Sequence, residues 1–240
     1  MLLHLHGGGF VMGVPEIVDA RNRWLVRETQ CVVVSVDYRR APDTAFPGAL
    51  EDCYAALAWV YDNARELGVD AARIAVGGES AGGGLAAAVA LLARDRGRIP
   101  LALQLLVYPM LDDRTCTRTD TAAHFGEFIW SRRSNEFGWR ALLGREPGTE
   151  GVSSYAAPAR AQSLAGLPRT FIAVGGLDLF LEEDIDYARR LMQAGVPTEL
   201  HVLAGAYHGF DMVPKAFVTR ELNRHLRAAL NRAFQPDWRE

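Results

Sequence analysis

The stretch Gly77-Gly78-Glu79-Ser80-Ala81-Gly82-Gly83-Gly84 sets a serine among glycines at the spacing G-x-S-x-G. That spacing suits a tight strand-to-helix turn, in which flanking side chains would collide and the serine hydroxyl is left exposed on strained backbone. A serine hydroxyl becomes a useful nucleophile only when a base takes its proton, and the base needs an acid to orient it. Of six histidines, only His208, in AGAYHGF, falls in a loop directly after a strand-like run. His4 and His6 belong to a first strand and its exit, His124 to a region without strands, His201 to a strand and His225 to the last helix. For the acid, TFIAVGG runs straight into Leu177-Asp178, making Asp178 the first carboxylate past a strand end. Glu182, Glu183 and Asp184 come a turn later, where acids at a helix start are accounted for by the macrodipole.

A second feature is the early run LLHLHGGGFVMG, with three consecutive glycines. Glycine is costly to order, so such a run is tolerated where backbone must turn sharply or approach something closely. Attack by Ser80 on a carbonyl would create an oxyanion that needs preorganised N–H donors. The residue after the nucleophile, Ala81, supplies one, and Gly8 and Gly9 are the natural source of the others. His6 is expected to brace this loop through hydrogen bonds. His4-x-His6 has no carboxylate or cysteine beside it in the chain, so no metal site is expected there, and no cofactor is expected anywhere. Phe10, Tyr38, Met110, Tyr207 and Phe210 flank these motifs and are candidates for substrate contact, each equally suited to the core.

The elements that must position these residues alternate. Strand-length apolar runs fall at Leu2–Leu5, Cys31–Val36, Arg73–Val76, Leu101–Val107, Arg169–Val174 and Thr198–Leu203. Helical periodicity covers Ala49–Leu67, stopped by Gly68, then 81–94, Glu182–Ala194 and Pro214–Phe234. Strands apolar on both faces, alternating with helices, predict an α/β fold with a mostly parallel sheet covered on both sides. Active sites in such folds gather beyond the carboxyl ends of the strands, where the serine, aspartate, histidine and glycine loop all fall. From Leu111 to Pro168 no strand is evident, but Phe125, Phe128, Trp130, Phe137 and Trp139 recur at roughly helical spacing. This predicts a single domain over 1–240 with a helical insertion at about 111–168.

The 240 residues suffice for one large domain with a buried core. A formal charge of −3 leaves no basic stripe for nucleic acid, and Arg132, Arg133 and Arg140 read as a solvated helix face. Three cysteines without C-x-x-C spacing argue against a disulfide framework and for a reducing, cytoplasmic setting. No apolar run has the length of a membrane span, and the first residues do not resemble a signal peptide.

HGGGF, DYRRAP, GESAGGG, GGLDLF and YHGF, in this order, resemble the bacterial hormone-sensitive-lipase-like carboxylesterases, a family with the α/β-hydrolase fold. The resemblance runs from residue 2 to about residue 234. It implies cofactor-free hydrolysis of short- to medium-chain carboxylic esters through an acyl-serine. Ser80, Asp178 and His208 would form the triad, in the chain order typical of that fold, and Gly8, Gly9 and Ala81 the oxyanion hole. DYRRAP, with Arg40 where leucine is usual, would hold the neighbouring loop. Related esterases often dimerise, which adds a homodimer to the expectations. The alternatives are a lactone or amide hydrolase with the same triad, or a catalytically weakened hydrolase-fold protein that binds a ligand.

The resemblance departs at the front, since family members carry a helical cap segment and two further strands before HGGG. Either the recorded start is an internal methionine of a longer protein, or this is a reduced esterase with an open pocket. Without those strands, CVVVSV is expected to form an exposed apolar sheet edge, leaving the chain as written poorly soluble or paired through it.

Overall fold

The computed structural model describes residues 1–119 and 122–235. Six parallel strands, β1 (Leu2–Leu5), β2 (Val33–Val36), β3 (Ala75–Glu79), β4 (Leu103–Val107), β5 (Thr170–Gly175) and β6 (Thr198–Leu203), form one sheet in the order β2-β1-β3-β4-β5-β6. Six helices accompany them: α1 (Asp19–Thr29), α2 (Gly48–Asp62), α3 (Ala81–Arg96), α4 (Arg132–Leu143), α5 (Leu181–Gln193) and α6 (Phe217–Phe234).

Because side chains alternate along a strand, neighbouring residues feed two separate cores. Leu3, Val76, Leu106 and Ile172 pack with α2, α3 and α5, whereas Leu2, Ala75, Leu105 and Phe171 pack with α1 and α6. The division of helices follows from the right-handedness of parallel crossovers. From β1 the chain moves outward to β2 through α1; from β3 and β5 it moves the opposite way through α3 and α5, and so places those helices on the other face. The strand order therefore reverses between β1 and β3. At such a switch point the two exit loops diverge to opposite sides and leave a crevice at the strand ends. The glycine loop leaves β1 there and Ser80 leaves β3 beside it.

Expected and observed elements differ mainly at their ends. β2 begins at Val33, with Cys31 buried ahead of it, and α2 stops at Asp62, followed by turns up to Gly68. Helix α1 is an addition. Its sequence DARNRWLVRET is too polar to announce a buried face, yet Asn22, Leu25 and Thr29 are buried. Positions 120 and 121 of the stretch 111–168 lie outside the described residues. The remainder holds α4 and two short 3₁₀ turns, Asp113–Cys116 and Pro158–Arg160. Among its aromatics Trp139 is fully buried while Phe128 and Phe137 are exposed. β2 is an edge strand, as CVVVSV suggested, with three of its four residues half-buried.

Helix α3 approaches β1 so closely that a Cβ on Gly82 would stand 2.0 Å from the Leu5 carbonyl oxygen and 2.5 Å from that of His6. Gly82 is helical, where alanine is ordinarily better by about 1 kcal/mol. Here the sign reverses. Gly82→Ala is expected to lower stability by roughly 1–3 kcal/mol through overpacking, measured as a drop in the denaturant midpoint.

Candidate active site

Ser80 joins β3 to α3 with φ 57° and ψ −123°, a left-handed conformation that an L-residue keeps only when its surroundings enforce it. The enforcement is visible. A Cβ on Gly78 would lie 2.2 Å from the Leu5 carbonyl oxygen and 2.7 Å from the Gly82 carbonyl carbon, so the turn closes only with glycine at both positions. Ser80 N–H donates to the Val107 carbonyl at 2.9 Å, and its carbonyl accepts from Gly84 and Met110, each at 3.0 Å.

The loop after β6 brings His208 to this turn. Its Nε2 is 2.9 Å from Ser80 Oγ, and its Nδ1 is 2.9 Å from Asp178 Oδ2. Asp178 is fully buried in the loop after β5, and its Oδ1 accepts the Phe180 N–H at 3.0 Å. With one carboxylate oxygen tied to backbone and the other facing Nδ1, the imidazole is held in the tautomer that leaves Nε2 free to accept a proton. Three aromatic rings fix its plane: Tyr108 at 4.7 Å between centroids, Phe180 edge-on at 5.2 Å and Trp130 at 6.4 Å.

The glycine loop lies against the serine turn, since a Cβ on Gly7 would stand 3.4 Å from Ser80 Cβ. Gly8 and Gly9 take φ values of 125° and 59°, open to glycine and strained for other residues. Among the described residues their N–H groups find no hydrogen-bond acceptor. Ala81 opens α3, where the first N–H groups of any helix lack an intrahelical partner. Three donors are thus in place near Ser80.

The loop is braced from behind. His6 Nδ1–H donates to the Gly7 carbonyl at 2.8 Å, Tyr38 Oη–H donates to the His6 carbonyl at 2.7 Å, and the two rings stack at 4.3 Å. Arg40, where leucine is usual in the resembling family, donates through Nη1 to the Gly13 carbonyl, and Ala41 N–H donates to the Phe10 carbonyl at 2.9 Å. DYRRAP therefore does contact the neighbouring loop.

A cavity of about 800 Å³ opens on Ser80 and His208 and is lined also by Gly8, Gly9, Met12, Trp24 and Trp130. None of the five sequence candidates for substrate contact lines it. Phe10 packs under the loop against Trp139, Tyr38 stacks on His6, Met110 is fully buried, Phe210 meets Tyr108 edge-on in the core, and Tyr207 turns to Phe128. Each flanks a motif without joining the cavity lining. The lining comes instead from α1, from Ile129 and Trp130 ahead of α4, and from the start of α6.

Two further corrections concern charged groups. His4 does have a carboxylate beside it, Glu79, with Nε2 3.1 Å from Oε2 across the β1–β3 pairing. The helix dipole accounts for Glu182, which pairs with Arg118 at the surface, but not for its neighbours. Glu183 is buried and accepts the Leu111 N–H at 2.7 Å, the Asp112 N–H at 3.1 Å and the Thr115 hydroxyl, which ties α5 to the segment after β4. Asp184 is fully buried with neither oxygen partnered among the described residues. Among those residues no group of three or more histidine, cysteine or acidic side chains could hold a metal ion, and no helix is long and apolar enough to cross a membrane.

A family model described as alpha/beta hydrolase fold matches residues 2–212. Esterase LipI of Mycobacterium tuberculosis is 39% identical over 233 residues, which cover 95% of this chain and 71% of LipI. An arylesterase of Saccharolobus solfataricus is 34% identical over 235 residues, covering 98% of this chain and 75% of its own. Among solved structures, a bacterial heroin esterase superposes with a TM-score of 0.93 at 44% identity, over 98% of this chain and 74% of that one.

Burial, followed by the nearby Glu183 and Asp178 carboxylates, pushes the Asp184 carboxyl well above its ordinary value of 3.8. A raised carboxyl favours folding at low pH and weakens it as pH climbs past the unfolded value, because the unfolded chain ionises first. The stability of Asp184→Asn relative to the unmodified protein should therefore be near parity around pH 4 and rise toward neutrality. Melting temperatures of both across that range check the sign.

Proposed function

This chain belongs to the α/β-hydrolase-fold family and is a carboxylic ester hydrolase, and we propose that it works through an acyl-serine intermediate on Ser80, with short- to medium-chain esters as substrates. The observation that carries this reading is the unbroken relay of two 2.9 Å contacts from Ser80 Oγ through His208 to Asp178 at the floor of the cavity.

In the proposed cycle, Ser80 Oγ attacks the ester carbonyl carbon as His208 Nε2 takes its proton, and Asp178 stabilises the imidazolium that forms. The carbonyl oxygen, now an oxyanion, is received by the amides of Gly8, Gly9 and Ala81. Amides preorganised in this way cost no rearrangement when the charge develops, and each is typically worth about 3–4 kcal/mol. The same imidazolium then returns its proton to the leaving alcohol. Water attacks the acyl-Ser80 ester with His208 again as base, which frees the acid and restores the serine. Each proton taken from a nucleophile goes to the leaving oxygen, so no cofactor is required.

Lactones and amides offer the same carbonyl, and cleavage of matched substrates ranks them. A fluorophosphonate probe should label the protein at Ser80 and leave Ser80→Ala unlabelled. On p-nitrophenyl esters of graded acyl length, Ser80→Ala is expected to lower kcat by about 10⁴-fold or more, and Asp178→Asn by about 10⁴-fold. Absence of labelling in the unmodified protein would overturn the acyl-serine reading in favour of a ligand-binding role.

A further inference from the structure

The wall of the cavity carries one charged cluster that the proposed cycle leaves unused. Arg21 of α1 and Asp211, three residues past His208, both line the cavity. Arg21 Nη2 donates to Asp211 Oδ2 at 2.6 Å, and the Tyr108 hydroxyl donates to Asp211 Oδ1. Asp211 thereby has both oxygens engaged. Arg21 does not: its Nη1 is buried and meets no acceptor among the described residues. Leaving a buried donor unpaired costs about 1–3 kcal/mol, more for a charged group. Arginine cannot shed its proton to escape that cost, so a group that supplied an oxygen to Nη1 would recover it.

The position of the cluster indicates which part of an ester reaches it. Met12, Ile17, Ile129 and Met212 are each about 60% exposed and form the open side of the cavity, whereas the side chains of Arg21 and Asp211 are only 13% and 11% exposed. In an acyl-serine cycle the alcohol leaves first and water enters while the acyl group stays attached. The open side must pass alcohol and water, so the enclosed side takes the acyl chain. The charge balance indicates the kind of acceptor. The one Arg21 cation already faces Asp211. Glu79 also lines the cavity, and although burial opposes its charge, His4 and Arg21 outweigh burial and hold it below the usual carboxylate range. A third carboxylate would enter a site with two carboxylates already, whereas a neutral oxygen would meet only the free N–H groups.

We propose that Arg21 determines acyl specificity, its unpaired guanidinium N–H groups selecting acyl chains that bear a neutral oxygen acceptor, such as a ketone or ether, over plain alkyl chains. The inference rests on the acyl-serine reading of Ser80. The test moves a keto oxygen along the acyl arm: p-nitrophenyl 4-oxopentanoate, 5-oxohexanoate and 6-oxoheptanoate against pentanoate, hexanoate and heptanoate, each rate normalised to its hydroxide-catalysed hydrolysis. At one chain length the keto ester should exceed its alkyl partner in kcat/KM by about tenfold, and Arg21→Met should bring that ratio to near one. The p-nitrophenyl monoester of adipic acid, which carries a free carboxylate, should be the poorest substrate.

Alkyl esters turned over with ratios near one at every length in the unmodified protein would overturn the inference while leaving the acyl-serine reading intact. The same holds if the adipate monoester were preferred. A keto preference that survives in Arg21→Met would overturn the role of Arg21. No turnover of any ester, together with no fluorophosphonate labelling, would overturn both. The comparison within the unmodified protein does not depend on the variant folding.

Discussion

The conformation of one residue organises this molecule. Ser80 holds a backbone geometry that costs about 1–3 kcal/mol in isolation, and it persists because β3, α3 and β1 meet there at distances only glycine permits. The sharp turn lifts the hydroxyl out of the sheet and aims α3, with its orphan N–H groups, at the same point. It also fixes where the other contributors must come from. The strands end in one direction, so the loops after β1, β5 and β6 can reach a point above β3 without crossing the sheet. The reversal of strand order between β1 and β3 keeps that point clear of helices.

Those parts that depend on this constraint were legible in the chain. Ser80, Asp178 and His208 are far apart in sequence, but each follows a strand, and a parallel sheet makes strand ends neighbours. The alternating apolar runs likewise announced all six strands. Side-chain direction within the loops was not legible. Phe10 directly follows HGGG and Phe210 lies two residues past His208, yet both rings pack into the cores. Helix α1 went unrecognised for the opposite reason. Its buried face includes a polar residue, Asn22, so its sequence lacks the apolar stripe that marks a packed helix. The His4–Glu79 contact spans 75 residues and depends on strand register, which no local pattern encodes.

The acids at the start of α5 show how composition can mislead. Three in succession look like surface charge at a helix N-terminus. In the fold, only Glu182 faces solvent. Glu183 collects two backbone N–H groups and a hydroxyl and so holds the segment after β4 in place. Asp184 is enclosed because α5 must lie flat on the sheet directly after the Asp178 loop. The short connection from Asp178 to α5 thus favours both the orientation of the aspartate and the burial of an acid that gains nothing from it.

The brace of the glycine loop has a consequence for how the molecule responds to what happens at its margin. Tyr38, Arg40 and Ala41, which hold His6, Gly13 and Phe10, hang from the end of β2, one of the two edge strands. The amides of Gly8 and Gly9 are therefore held from one rim of the sheet and His208, in the loop after β6, from the other, while Ser80 sits between them at the end of β3. Whatever docks along the β2 rim, or loosens it, pulls on the glycine loop, and whatever loosens the β6 rim pulls on the histidine.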